Sequence, residues 1–266
     1  MDRITASERF TEEIPSREIP CEVNGVTLAE RLAAVKRRIQ EACRRSGRRE
    51  DEVTLVAVTK YVDAETVRAL LDAGVTDVGE NRVQDAVPKW EALGGRGVWH
   101  FIGRLQTNKV KDVVGRFAYI HSLDRMTLAE ELEKRARQKD TVVRCFLQVN
   151  VSGEATKAGV HPDELVEFAR EVAKLSRLRV VGLMTMAPIV DDPEEARPVF
   201  RALRELRDAL RDQGIPGVDP VHLSMGMSGD FEVAVEEGAT FVRIGSLLYK
   251  PDPGTPAGEP GQKEEG

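Results

Sequence analysis

The chain has 266 residues, with 39 Lys and Arg against 45 Asp and Glu and a formal net charge of -6, which excludes a strongly basic nucleic-acid binder as the default reading. Hydrophobic residues make up 41% and charged residues 32%, and no apolar run approaches the roughly 18 residues of a membrane span. The length suits one or two domains.

Residues 1–25 show no sustained periodicity and carry Asp2, Glu8, Glu12, Glu13 and Glu18 where a secretory leader would be apolar. They are read as a poorly ordered extension of a cytoplasmic protein. Leu28, Leu32, Val35 and Ile39 predict a first helix over 27–45. Strand one, 53–60, leads through Asp63, an expected N-cap, into a helix that stops at Gly74. A strand at 77–80, a helix at 82–93, a strand at 98–103, a short helix at 108–114 and a strand at 118–122 follow. Asp124 is expected to cap a helix ending near Lys139. The second half continues with strands at 141–151, 178–186, 221–225 and 241–246, and helices at 162–175, 193–212 and 229–237. The tail, 251–266, is rich in Pro, Gly and Glu and is expected to be disordered.

Eight β-branched runs alternating with amphipathic stretches predict the α/β class and a single (β/α)8 barrel over residues 26–250, with the extra N-terminal helix covering the seam. An open doubly wound sheet is the alternative, but the chain has neither a G-x-G-x-x-G turn nor a P-loop.

In such a barrel the strand C-termini form the functional face. Lys60 ends strand one on the same side as Thr54, Val56 and Val58. Desolvation lowers a lysine pKa and frees the amine to attack an aldehyde; a solvated, snorkelling lysine is the plain alternative. Ser224-Met225-Gly226-Met227-Ser228-Gly229 ends strand seven and Arg243-Ile244-Gly245-Ser246 ends strand eight. Loops of this kind at these two positions commonly bind phosphate, although two ordinary tight turns would read the same way. Together with Lys60 they describe a pocket for an aldehyde that carries a phosphate, met by pyridoxal phosphate or by a sugar-phosphate aldolase substrate.

The segments Ala57-Val58-Thr59-Lys60, Gly79-Glu80-Asn81, Trp99-His100-Phe101-Ile102-Gly103, Leu105-Gln106-Thr107-Asn108-Lys109, Gly182-Leu183-Met184, Leu223-Ser224-Met225-Gly226-Met227-Ser228 and Val242-Arg243-Ile244-Gly245 closely resemble the pyridoxal phosphate homeostasis protein family. The resemblance implies a TIM barrel like the N-terminal domain of alanine racemase, with Lys60 holding the cofactor as a Schiff base. It further implies that Ser228, Gly245 and Ser246 hold the phosphate, Ser224 and Gly226 shape that loop, Arg243 lies near the pyridine nitrogen, and Asn81 and Met184 line the ring. A cation beside that nitrogen discourages its protonation and weakens the ring as an electron sink. The implied protein is therefore a mainly monomeric carrier of pyridoxal 5'-phosphate and related vitamers, not an enzyme, in transient contact with apoenzymes. A small racemase or decarboxylase using the same cofactor is the alternative, with Tyr61, Tyr119 and Tyr249 as its tyrosines. Racemases with this barrel bring a second domain, for which too few residues follow strand eight. A cofactor-free Schiff-base aldolase is a third reading.

The chain departs from the family where Val62 follows Lys60-Tyr61 in place of a second lysine, where Arg82 replaces a tyrosine, where Arg104 replaces a histidine, and at Leu248-Tyr249-Lys250. Lys157, after strand five, resembles a lysine able to hold cofactor transiently; a solvated loop lysine is the alternative. His100 reads as a hydrogen-bonded core residue, while His121, His161 and His222 are uninformative, and nothing has metal-ligand spacing. Cys21, Cys43 and Cys145 suit a reducing compartment. Arg201 with Glu205 and Arg204 with Asp208 have the spacing of helical surface pairs.

Overall fold

A computed structural model describes residues 22–23, 26–154 and 157–249; the two predicted extensions lie outside the described residues, apart from a two-stranded antiparallel pairing of Glu22–Val23 with Val26–Thr27. Eight parallel strands close into a barrel: β1 Thr54–Val58, β2 Asp77–Glu80, β3 Val98–Phe101, β4 Tyr119–Leu123, β5 Val143–Gln148, β6 Leu178–Met184, β7 Val218–Ser224 and β8 Phe241–Ile244. Each strand pairs with the next, and β8 closes on β1 with Phe241 opposite Thr54 and Ile244 opposite Ala57. Among the described residues no helix is long and apolar enough to cross a membrane.

The helices are α1 Leu28–Arg45, α2 Ala64–Asp72, α3 Val83–Ala92, α4 Val110–Val113, α5 Met126–Gln138, α6 Leu165–Ala173, α7 Arg197–Asp212, α8 Phe231–Glu236 and α9 Ser246–Tyr249. Thr27 caps α1 reciprocally: its hydroxyl accepts the Glu30 N–H at 3.2 Å and the Glu30 carboxylate accepts the Thr27 N–H at 2.8 Å. The apolar face of α1 packs against α8 and α9, because the helix after β8 is a single turn and leaves that side of the barrel bare. Arg31 ties α1 to α9 through a 3.0 Å bond to the Leu248 carbonyl. Asp63 caps α2 as expected, accepting the Thr66 N–H at 2.8 Å.

Several boundaries differ from the sequence reading. Strands β5, β6 and β8 are shorter than predicted, ending at Gln148, Met184 and Ile244. Strand β7 starts earlier, at Val218, and admits Pro220. Prolines 162 and 193 open short 3-10 turns ahead of α6 and α7. Asp124 does not cap α5; Arg125 occupies the cap position without a side-chain bond, and Asp124 pairs with Arg125 at 2.6 Å. Arg201 and Arg204 do not pair along their own helix but converge with Arg197 on Glu237, at 3.0, 2.9 and 3.2 Å.

Inside the barrel Val56, Phe146, Met184 and Phe241 form an apolar plug, crossed by a polar thread. Asp77 Oδ1 lies 2.8 Å from His100 Nε2, His100 Nδ1 2.9 Å from His121 Nε2, and His121 Nδ1 2.8 Å from Ser224 Oγ, which accepts a 2.6 Å bond from Arg243 Nη1. A guanidinium only donates. Ser224 Oγ is thus an acceptor toward Arg243 and the link from it to the His121 ring. Burial holds His121 well below the ordinary imidazole range, with His100 and Arg243 acting in the same direction. The rings also stack, His100 on Tyr119 at 4.8 Å and His121 on Phe146 at 4.3 Å.

Close approach of β6 and β7 requires Gly182, where a Cβ would stand 2.2 Å from the His222 carbonyl oxygen. Gly182→Ala is expected to lower the unfolding free energy by about 1–3 kcal/mol, the cost of overpacking, as read by urea titration. His121 stays neutral in the fold while the unfolded chain takes up a proton below pH ~6.5, so stability falls as pH drops through that value. Denaturant titrations between pH 7 and 5 should show a slope approaching about 1.4 kcal/mol per pH unit from this residue, and His121→Asn should be measurably shallower.

Candidate functional site

The C-terminal ends of β7, β8 and β1 are neighbours in the closed barrel. Gly245, just past β8, rests on Val58 of β1, so that an added Cβ would sit 3.4 Å from the Val58 Cβ. Two residues beyond Val58, Lys60 is half-buried, with its Nζ 4.8 Å from the centroid of the Tyr61 ring. Behind it the end of β1 is fastened on the outer side of the sheet. Thr59 Oγ1 donates to Glu80 Oε1 at 2.6 Å, while Lys89 Nζ reaches Glu80 Oε1 at 2.8 Å and the Thr59 carbonyl at 2.7 Å. Burial pushes the Glu80 carboxyl up, against the opposing pull of Lys89.

The β7–α8 loop turns at Gly226, whose φ of +89° suits glycine and whose Cβ would fall 2.5 Å from that of Ala234. Asp230 Oδ1 accepts the Met227 N–H at 2.6 Å and holds the loop closed. The two loops meet where the Gly245 N–H donates to Ser228 Oγ at 3.2 Å. The N–H groups of Ser228, Gly229, Ser246 and Leu247 have no acceptor among the described residues. They give this corner the free donors that an oxyanion needs.

Arg243 lies below the corner, 5% exposed. Its Nη2 donates to the Thr185 carbonyl at 2.9 Å and its Nη1 to Ser224, so two of its five N–H groups are engaged and the others have no acceptor among the described residues. Burial brings its pKa down to about 10, with Asp230 pulling the other way.

The structure thus gathers Lys60, Gly226, Ser228, Arg243, Gly245 and Ser246 on three consecutive strand ends. Asn81 follows β2 on the other side of Lys60, and its Oδ1 is buried without a partner. Met184 is fully buried in the plug beneath. The Ser224 hydroxyl faces the barrel interior, serving Arg243 and His121. Lys157 stands in a separate loop after β5, its amine 2.7 Å from Glu154. Cys43 and Cys145 are buried free thiols, the latter pushed up to about 12 by burial; Cys21 lies outside the described residues. No cluster among the described residues is suited to a metal ion.

Sequence reasoning missed Asp77, His121 and Thr185 as supports of Arg243; His100 is the hydrogen-bonded core residue it was read as, with partners that the sequence did not name. Period-two alternation carried a usable signal, because Asp77 shares the inward side of β2 with Gly79 and Asn81. The arrangement can hold a planar ligand between an amine and an oxyanion corner, with a donor-rich cation under its edge.

The family model for the alanine racemase N-terminal domain matches residues 31–253. The pyridoxal phosphate homeostasis protein of Aquifex aeolicus is 51% identical over 221 residues, 83% of this chain and 96% of that protein. Its counterpart in Pseudomonas aeruginosa is 41% identical over 233 residues, 87% and 99% of the two chains. Among solved structures, PipY of Synechococcus elongatus with pyridoxal phosphate bound superposes with a TM-score of 0.74 at 33% identity, covering 84% of this chain and 100% of that one. Alanine racemase of Clostridium difficile, at 16% identity and a TM-score of 0.68, shares the fold. On these matches, the chain belongs to the pyridoxal phosphate homeostasis protein family.

Proposed function

We propose that this protein binds pyridoxal 5'-phosphate reversibly through Lys60 and buffers or delivers it in the cytoplasm as a monomer, in transient contact with apoenzymes, without substantial catalysis of its own. The observation that carries the reading is the joining of the β7 and β8 loops by the Gly245–Ser228 bond, directly over Val58 and beside Lys60. Pyridoxal phosphate supplies an aldehyde carbon, a phosphate dianion and an electron-accepting ring.

The residues present fit that group. Lys60 carries the amine for the aldehyde carbon. Ser228, Gly245 and Ser246 offer a hydroxyl and unpaired N–H groups to the phosphate, and Gly226 lets the loop lie close to α8. Arg243, held from below by Ser224 and Thr185, presents its remaining donors to the pyridine edge. A cation that keeps its protons leaves the ring nitrogen as an acceptor, which limits electron withdrawal and favours storage over amino-acid chemistry. Asn81 and Met184 bound the ring. Lys157, paired with Glu154, is assigned a transient holding role at most. Family membership supports the carrier over a racemase.

Purified protein incubated with pyridoxal phosphate should develop a visible absorption band that borohydride abolishes, with peptide mass spectrometry placing the reduced adduct on Lys60. Lys60→Ala should never show the band, and an adduct on another side chain would reject the assignment. Ser228→Ala should weaken cofactor binding about tenfold, in line with the loss of one hydrogen bond to a charged group. Incubation with a panel of amino acids should yield no racemised or decarboxylated product; clear turnover would replace the carrier reading with the enzymatic one.

A further inference from the structure

The mouth of the barrel holds a second concavity, on the side of Lys60 away from the β7 and β8 loops. A cavity of about 670 Å³ opens among the segments that follow β2, β3 and β4. Its walls include Arg82, Arg104, Lys109 and Arg125, and no acidic residue. Arg125 is matched by Asp124 at 2.6 Å. Arg82, Arg104 and Lys109 make no side-chain ion pair or hydrogen bond among the described residues. Three unopposed cations therefore converge in one recess of a chain whose formal net charge is -6.

Leaving three cations together is unfavourable unless an anion joins them, and concave walls of low dielectric strengthen the field they share. Two guanidinium forks match the oxygens of a phosphate, with Lys109 as a point charge beside them. Asn81 and Gln106 add neutral amides to the same lining, and the Asn81 Oδ1 is buried without a partner. The recess and the cofactor corner share Asn81 and little else, since the oxyanion donors of the corner come from β7 and β8.

We propose that this recess is a second anion-binding site, taking a small phosphate-bearing molecule. A positive charge of three suits a dianion better than a single carboxylate. The site does not depend on the reading of Lys60, and its test keeps the two apart.

The full-length protein is saturated with pyridoxal phosphate, treated with borohydride and dialysed; its mass then reports separately whether the Lys60 site is filled. Calorimetric titration of this material with inorganic phosphate should reveal a saturable site that weakens at least tenfold in the Arg82→Gln/Arg104→Gln double variant. Both residues are exposed, so the far-ultraviolet dichroism of the variant should match that of the parent. Glutarate, a dicarboxylate probe, should bind more weakly than phosphate. Equal phosphate affinity in parent and double variant would mean an adventitious ion only and overturn the proposal, as would glutarate binding more tightly than phosphate or no saturable binding at all. Should the mass show no adduct, the cofactor reading fails, while the comparison of parent with double variant still decides the recess.

Discussion

A guanidinium buried inside a barrel has to be given acceptors, and the arrangement of the site follows from how Arg243 is given them. One acceptor is the Thr185 carbonyl and the other is the Ser224 hydroxyl. That hydroxyl is itself linked through His121 and His100 to the Asp77 carboxylate. Five strands contribute to the thread. Arg243 is consequently fixed in place before any ligand arrives, which is the meaning of preorganisation at such a site.

The same thread separates support from reception. Below Arg243 the barrel is filled by the His100 and His121 rings, stacked on Tyr119 and Phe146. Above it the β7 and β8 loops keep their N–H groups unpaired, and the amine of Lys60 stands beside them. On the outer side of the sheet, the Glu80–Lys89 pair with Thr59 fastens the end of β1, which limits how far Lys60 can wander from the phosphate corner. A buried ion pair of this kind contributes little net stability but specifies geometry strongly. Such a site, with an amine beside an anion corner and a cation below, has the make-up that the proposed holding of a cofactor requires.

The strand and helix order was legible from periodicity because most barrel strands are short runs rich in apolar residues and the helices between them are apolar along one face. Lys60 and the two loops were legible because position at a strand end is a local property of the chain. The end points of β5, β6 and β8 were less so, since where a ladder ends depends on the neighbouring strand and not on the residue pattern of one strand alone. Asp124 failed as a cap because Arg125, its neighbour, offered an ion pair in place of the helix N–H groups. The salt links of Arg201 and Arg204 were misplaced because Glu237, distant in sequence, lies within reach of both.

By itself the sequence determined the barrel, the family, and the position of Lys60 and of two glycine- and serine-bearing loops at strand ends, all of which rest on short-range patterns of residue type. Only the tertiary structure decided that Asp77, His100 and His121 belong to Arg243, that Ser224 faces inward, and that Arg82, Arg104 and Lys109 share one recess. The physical reason is that hydrogen bonds and fields depend on distances across strands, and closing the sheet brings together side chains that no spacing along the chain connects.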